Sequence, residues 1–241
     1  MTNSSRIKNF GLLVFGMLFL AAVCSGQACP PGTEKIAKAF GLDSFGQINA
    51  IRYTFSIPEF KLSRSWTWEP KADRVTYEGK DKAGNPVKVT YVRSQLSSQP
   101  DNVKKEIDPG FVNDQYWLVF PFHTCWDTGA TVEDKGMQTL PLGGGTARLV
   151  SVKYGSAGGY TPGDTWDLYV GPDNIVKQMV FHHGGSAKPS VVKTTWAGYK
   201  KAGPLLVSTD HRGTADGKPF SLTFTDVAVK LAGSDAWVPA Q

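Results

Sequence analysis

Three cysteines, Cys24, Cys29 and Cys125, and four histidines are all that 241 residues offer, so a thiolate or imidazole metal site has few ligands to draw on. His123 has Cys125 as a lone neighbour without ligand spacing. His182 and His183 are adjacent on an expected strand, which sends their rings to opposite faces. No metal and no cofactor is expected. Excess charge is scarce too: 26 basic against 21 acidic residues, evenly spread, argue for neither nucleic acid nor a membrane surface as partner. After the first thirty residues no apolar run approaches the roughly 20 needed to span a bilayer as a helix. Internal repeats, low-complexity tracts and composition shifts that would mark a domain boundary are also missing.

Catalytic motifs are absent in the same way. Gly184-Gly185-Ser186-Ala187-Lys188 lacks the closing glycine of a nucleophile elbow and leads from one strand to another. Gly143-Gly144-Gly145 lacks the Lys-Ser/Thr ending of a phosphate loop. Both read as turns. Glu69, Asp73 and Glu78 sit near turns and alternate with basic residues, which is solvated edge charge and not a glycosidase pair. No catalytic residue is assigned, and a non-enzymatic role is expected.

What is present begins with a leader. Arg6 and Lys8 precede an apolar run from Phe10 to Val23, and Ser25-Gly26-Gln27-Ala28 ends it with small residues. That order is a cleavable secretory signal over residues 1–28, and the expected location is the periplasm. Leu20-Ala21-Ala22-Val23-Cys24-Ser25 also resembles a bacterial lipoprotein signal, which would anchor the chain through Cys24, although Val23 is a poor residue before the acceptor. Either cut leaves Cys29 and Cys125, which an oxidising compartment allows to pair. About 210 residues remain as a single domain over 29–241, enough for a sizeable core.

Along that domain the dominant period is two. Leu62, Arg64, Trp66 and Trp68 share one face; Val75 and Tyr77, then Val87, Val89 and Tyr91, continue the pattern across a turn at Lys82–Pro86. Further strands read as 147–154, 165–170, 175–183, 190–199, 205–212 and 220–231, separated by Gly171-Pro172-Asp173-Asn174, Gly203-Pro204 and Asp216-Gly217-Lys218-Pro219. Short connections mean antiparallel neighbours. The expected fold is mainly β: a curled antiparallel sheet of about eleven strands. Phe220, Leu222 and Phe224 alternate, then Val227, Val229 and Leu231 alternate in the opposite phase, so one extra residue near Thr225-Asp226 predicts a β-bulge. Two short helices are expected: 34–40, with Thr33 as N-cap and Gly41 as stop, and 111–118, ending before Pro121; 94–108 reads as loop or marginal helix.

Several segments resemble the outer-membrane lipoprotein-sorting (LolA/LolB-like) superfamily. They are Phe40-Gly41-Leu42-Asp43 through Ile51-Arg52-Tyr53-Thr54-Phe55, Trp66-Thr67-Trp68-Glu69-Pro70 with Asp73 to Tyr77, Asn113 to Pro121, Thr161-Pro162-Gly163-Asp164 with Trp166, Leu168 and Val170, and the closing Asp216-Gly217 turn with its strand. The resemblance covers most of residues 33–232. It implies an unclosed β-barrel whose mouth is plugged by short helices and whose interior holds acyl chains. The long middle, 94–145, and the cysteines at 29 and 125 depart from the carriers of that group, so fold and ligand class are transferred but lipoprotein transport is not.

Strands 175–183 and 190–199 are apolar on both faces, which fits either a core with one partly exposed face or a cavity lining. On the cavity reading Trp66, Trp68, Tyr77, Tyr91, Trp166, Met179, Phe181 and Trp196 line the interior. Arg64, the one charge on an aromatic strand face, then fixes a ligand carboxylate or phosphate at the mouth. The function expected is a periplasmic binding or carrier protein for a hydrophobic or acylated small molecule, with outer-membrane or envelope proteins as possible further partners. An envelope structural or protein-interaction module with a filled barrel stays open beside it, and behind that an enzyme whose reaction is hosted by the cavity.

Overall fold

The computed structural model describes residues 29–81, 84–157, 160, 162–184 and 190–241. The leader, its cleavage after Ala28 and the alternative acceptor Cys24 lie outside the described residues, as do Lys82, Ala83, Thr161 and most of the turn after Gly184.

The first meander is β1 (Ile48–Ile57), β2 (Leu62–Glu69), β3 (Arg74–Lys80) and β4 (Pro86–Val92). Its first two hairpins share one device. A proline opens a single 3-10 turn, and Lys61 or Asp73 then takes φ +50°, which reverses the chain in few residues. The second meander is β5 (Thr131–Thr139), β6 (Thr146–Lys153), β7 (Thr165–Val170), β8 (Val176–His183) and β9 (Ser190–Thr195). A small separate hairpin follows, β10 (Lys200–Ala202) with β11 (Leu205–Val207), then β12 (Asp210–Ala215), β13 (Lys218–Leu231) and β14 (Trp237–Pro239). The sheet runs β4-β3-β2-β1-β13-β12-β9-β8-β7-β6-β5, with β14 on the free edge of β13. Every pairing is antiparallel, and the sheet is not closed into a barrel.

The β1–β13 seam carries the expected bulge. Thr54 pairs with Thr225 but Arg52 with Ala228, so β13 spends one residue more than β1 between the two pairs. Asp226 takes φ +54° there and faces solvent. The extra residue puts Phe220, Leu222, Phe224, Val227 and Val229 all into the core despite their change of phase.

Between the two edge strands the chain crosses the concave side. It leaves β4, turns through Arg93–Ser98 and Val103–Ile107, and forms α2 (Asp108–Trp126) before returning as β5. This corrects the expected helix 111–118: α2 is longer at both ends and continues through Pro121. The proline has no N–H to give and crowds the preceding turn, and Val119 leaves helical geometry at φ −127°, ψ +25°. The kinked helix survives because its surroundings hold it. Phe111, Trp117, Leu118, Phe120 and Phe122 bury around its circumference, as expected of a helix inside a core.

The shorter α1 (Glu34–Ala39) forms where expected, with Ile36, Ala37 and Phe40 buried against the core. Thr33 sits at its N-cap, yet its hydroxyl donates to Pro30 O at 2.8 Å and caps nothing in the helix. Gly41 takes φ +99°, and a Cβ there would lie 2.4 Å from Pro204 O, so only glycine fits the stop. Cys29 is bonded to Cys125, which ties the residues before α1 to the last turn of α2.

The expected strand 190–199 stops at Thr195, and the expected strand 205–212 is two strands in different sheets, β11 and β12, separated at Ser208-Thr209 where the chain leaves the β10–β11 hairpin for the main sheet. Most inner side chains join one hydrophobic cluster with α1 and α2. The second apolar face of β6 to β8 is a small separate cluster of Ala147, Leu149, Tyr169 and Val180, flanked by Leu140 and Val191. No helix among the described residues is long and apolar enough to cross a membrane.

Candidate functional site

The inner face of β2 presents Leu62, Arg64, Trp66 and Trp68 toward α2, as alternation requires. Arg64 is the pivot. Its Nε donates to Asp114 Oδ2 at 2.8 Å and its Nη2 donates to Oδ1, a bidentate pair. Trp66 Nε1 donates to Oδ2 at 2.8 Å and Asn113 Nδ2 to Oδ1 at 3.0 Å. Burial pushes the Asp114 carboxyl up to about 6, against the pull of Arg64, Asn113 and Trp66. Gly110 lets the guanidinium approach: a Cβ there would lie 3.1 Å from Arg64 Nη1. The carboxylate that Arg64 holds is therefore the protein's own.

Two more carboxylates fasten the helix. Asp108 accepts from Tyr91 Oη at 2.8 Å, Arg93 Nε at 2.9 Å and Tyr160 Oη. Burial and the adjacent Asp108 charge push the Tyr91 phenol well above its ordinary range. Just past the helix end, Asp127 accepts from Tyr116 Oη at 2.7 Å and Tyr154 Oη at 2.5 Å, and both its oxygens lie 3.0 Å from His123 Nδ1. Burial opposes ionisation of Asp127, but these hydrogen bonds outweigh it and lower its pKa.

Beside the Arg64–Asp114 pair lies a groove of about 500 Å³, a size typical of small-ligand pockets. Leu62, Trp66, Tyr77, Val87 and Ile107 give it apolar walls; Arg64, Lys80, Asp81, Asn102 and Glu106 supply the polar lining. Trp66 and Tyr77 meet with ring centroids 4.9 Å apart. A smaller cavity of about 260 Å³ lies along Trp68, Phe111, Val112, Gln115, Tyr116, His123 and Trp126.

Of the residues expected to line a cavity, Arg64, Trp66 and Tyr77 come together on the groove and Trp68 on the smaller cavity. Tyr91 is buried on Asp108. Trp166 stacks on Phe120 at 4.3 Å and touches Phe181, so α2 covers that wall. Met179 is fully buried, and Trp196 is buried against Phe40 and His211. His182 and His183 do diverge, toward Asp167 and Asp164.

Sequence reading missed Asp114, Ile107 and Lys80. Asp114 had a usable signal: a lone acid within an apolar helical stretch and a lone Arg64 on an aromatic strand face are complementary.

No family model matches the chain, and no curated protein matches it. Among solved structures it is similar to a DUF1329 family protein from Desulfovibrio piger ATCC 29098. The likeness has a TM-score of 0.43 and 10% identity, covering 85% of this chain and 94% of that one. At this level it transfers neither family nor activity.

Proposed function

We propose that the protein is an exported, periplasmic binding or carrier protein of LolA/LolB-like type, which takes a single-chain acyl amphiphile into the groove beside β2 and performs no chemistry on it. The observation that carries the reading is the groove itself: about 500 Å³, walled by Leu62, Trp66, Tyr77, Val87 and Ile107, with charged and amide groups around it. An acyl chain gains about 0.8 kcal/mol for each methylene taken from water into such walls. The polar head would stay with Lys80, Asn102 and water.

The deep interior is not the site in this reading, because α2 occupies it. That same filling favours a second reading, an envelope structural or interaction module. The two separate by measurement. Protein purified from the bacterial envelope is extracted and its lipids analysed by mass spectrometry, and a fluorescent fatty-acid probe is titrated into the stripped protein. Co-purified acyl species and saturable probe uptake support the binding reading. Absence of both sinks it and leaves the structural module.

A further inference from the structure

We infer that Phe111 sets the length of acyl chain the protein accepts, an inference that rests on the binding reading above. Trp66 and Ile107 line the groove, and Trp68 lines the smaller cavity. Strand alternation puts Trp66 and Trp68 on one face, roughly 7 Å apart along β2. One turn of helix, about 5.4 Å, separates Ile107 from Phe111 on the same side of the helical segment.

Phe111 lines the smaller cavity and touches one indole from each space, Trp66 of the groove and Trp68 of the cavity. Its ring is 1% exposed and stands edge-on to both indoles, with centroids 5.5 Å from Trp66 and 5.8 Å from Trp68. A chain advancing past Trp66 therefore meets the phenyl ring before it reaches the second cavity.

The second cavity suits more of the same chain. Trp68, Val112, Tyr116 and Trp126 are among its walls. Its polar groups are already engaged with protein partners: His123 with Asp127 and Gln115, and Arg93 with Asp108. Its volume, about 260 Å³ against about 500 Å³, would lengthen the available path by about half. Removing the Phe111 ring joins the two.

The test displaces a fluorescent fatty-acid probe from the full mature chain with saturated straight-chain acids, octanoate through arachidate. In the wild type, affinity climbs by about fourfold per added methylene while each is being buried, then stops climbing at one chain length. Phe111→Ala is expected to move that break several methylenes longer and to leave the affinities of shorter acids nearly unchanged. Phe111→Leu, which keeps apolar packing, should move it less in the same direction, and it carries the test if the alanine variant does not fold. An unmoved break in a folded variant overturns the role of Phe111. Failure of every acid to displace the probe from the wild type is recognisable without any substitution, and it overturns the binding reading and this inference together.

Discussion

Asp114→Asn and Arg64→Met, singly and together, test whether α2 is held inside the sheet by one coupled charge pair. Breaking a buried pair from one side costs about 3–5 kcal/mol, chiefly because the surviving charge is left without a partner. The two singles should differ. The Asp114 side chain is 0% exposed, whereas that of Arg64 is 20% exposed. A stranded guanidinium can lean toward water, so Asp114→Asn belongs near the lower figure. Arg64→Met strands a carboxylate that cannot reach water and escapes the cost only by taking up a proton, so it belongs near the upper figure at neutral pH. The double variant removes both charges, keeps an amide oxygen to accept from Trp66 Nε1, and lets the methionine stem replace the arginine stem. It should cost no more than the smaller single loss, so the coupling is at least as large as the larger one, about 5 kcal/mol. Urea unfolding at neutral pH measures all four proteins; with a slope of about 1–3 kcal/mol per molar, each single shifts the midpoint by at least about 1 M. Additive losses in the double variant would refute the reasoning.

Acid titration of stability separates two buried groups of opposite sign. Asp114, with its pKa raised to about 6, holds its proton more tightly when folded, so its contribution is full below about pH 4 and declines as pH rises toward 6. Burial lowers His211 to about 4, so its contribution is full above about 6.5 and is lost as pH falls toward 4. Relative to wild type, His211→Gln should therefore lose ground with rising pH across this window and Asp114→Asn should gain, each by up to about 3 kcal/mol; slopes of one sign in both would contradict the assignment. Reducing the Cys29–Cys125 bond, which spans 96 residues of sequence, should cost about 2–5 kcal/mol, seen as a drop in melting temperature with reductant; an unchanged melt would deny the bond any stabilising role. Trp66→Ala should weaken fatty-acid probe uptake. Trp196→Ala, buried against Phe40 and His211 away from the groove, should cost about 3–5 kcal/mol of stability while the folded fraction binds as before; equal loss of uptake in both would move the site.

Most strands were legible because they keep one face on the core, and the period-two pattern of Leu62 to Trp68 or Phe220 to Phe224 records that directly. Even the bulge was readable, since the phase change between Phe224 and Val227 has no other economical explanation. α2 was legible only in its middle. A helix buried on all sides has no polar face, so Asn113 to Trp126 shows no 3.6-residue stripe, and Pro121 looks like an end when it is a kink. β5 was missed because Thr131 to Thr139 is almost wholly exposed and carries Glu133, Asp134 and Lys135 in a row; it is an edge strand defined by its hydrogen bonds to β6. The groove was half legible. Arg64, Trp66 and Tyr77 follow from alternation, but Ile107 and Asn102 arrive from a segment with no periodic signal, and only tertiary structure brings them opposite.

The seam between β1 and β13 has a consequence in time. Ile48 pairs with Leu231, so the first meander waits beside an unsatisfied edge until the residues through Leu231 have been made or delivered. Contacts of such long separation in sequence are slow to find, and loop closure must be accomplished before they return any stability. A truncation that removes β13 would leave two half-sheets joined through α2, each with a raw hydrogen-bonding margin open to neighbouring chains. β13, made long after the first meander, is thus the strand that commits the molecule to its native state.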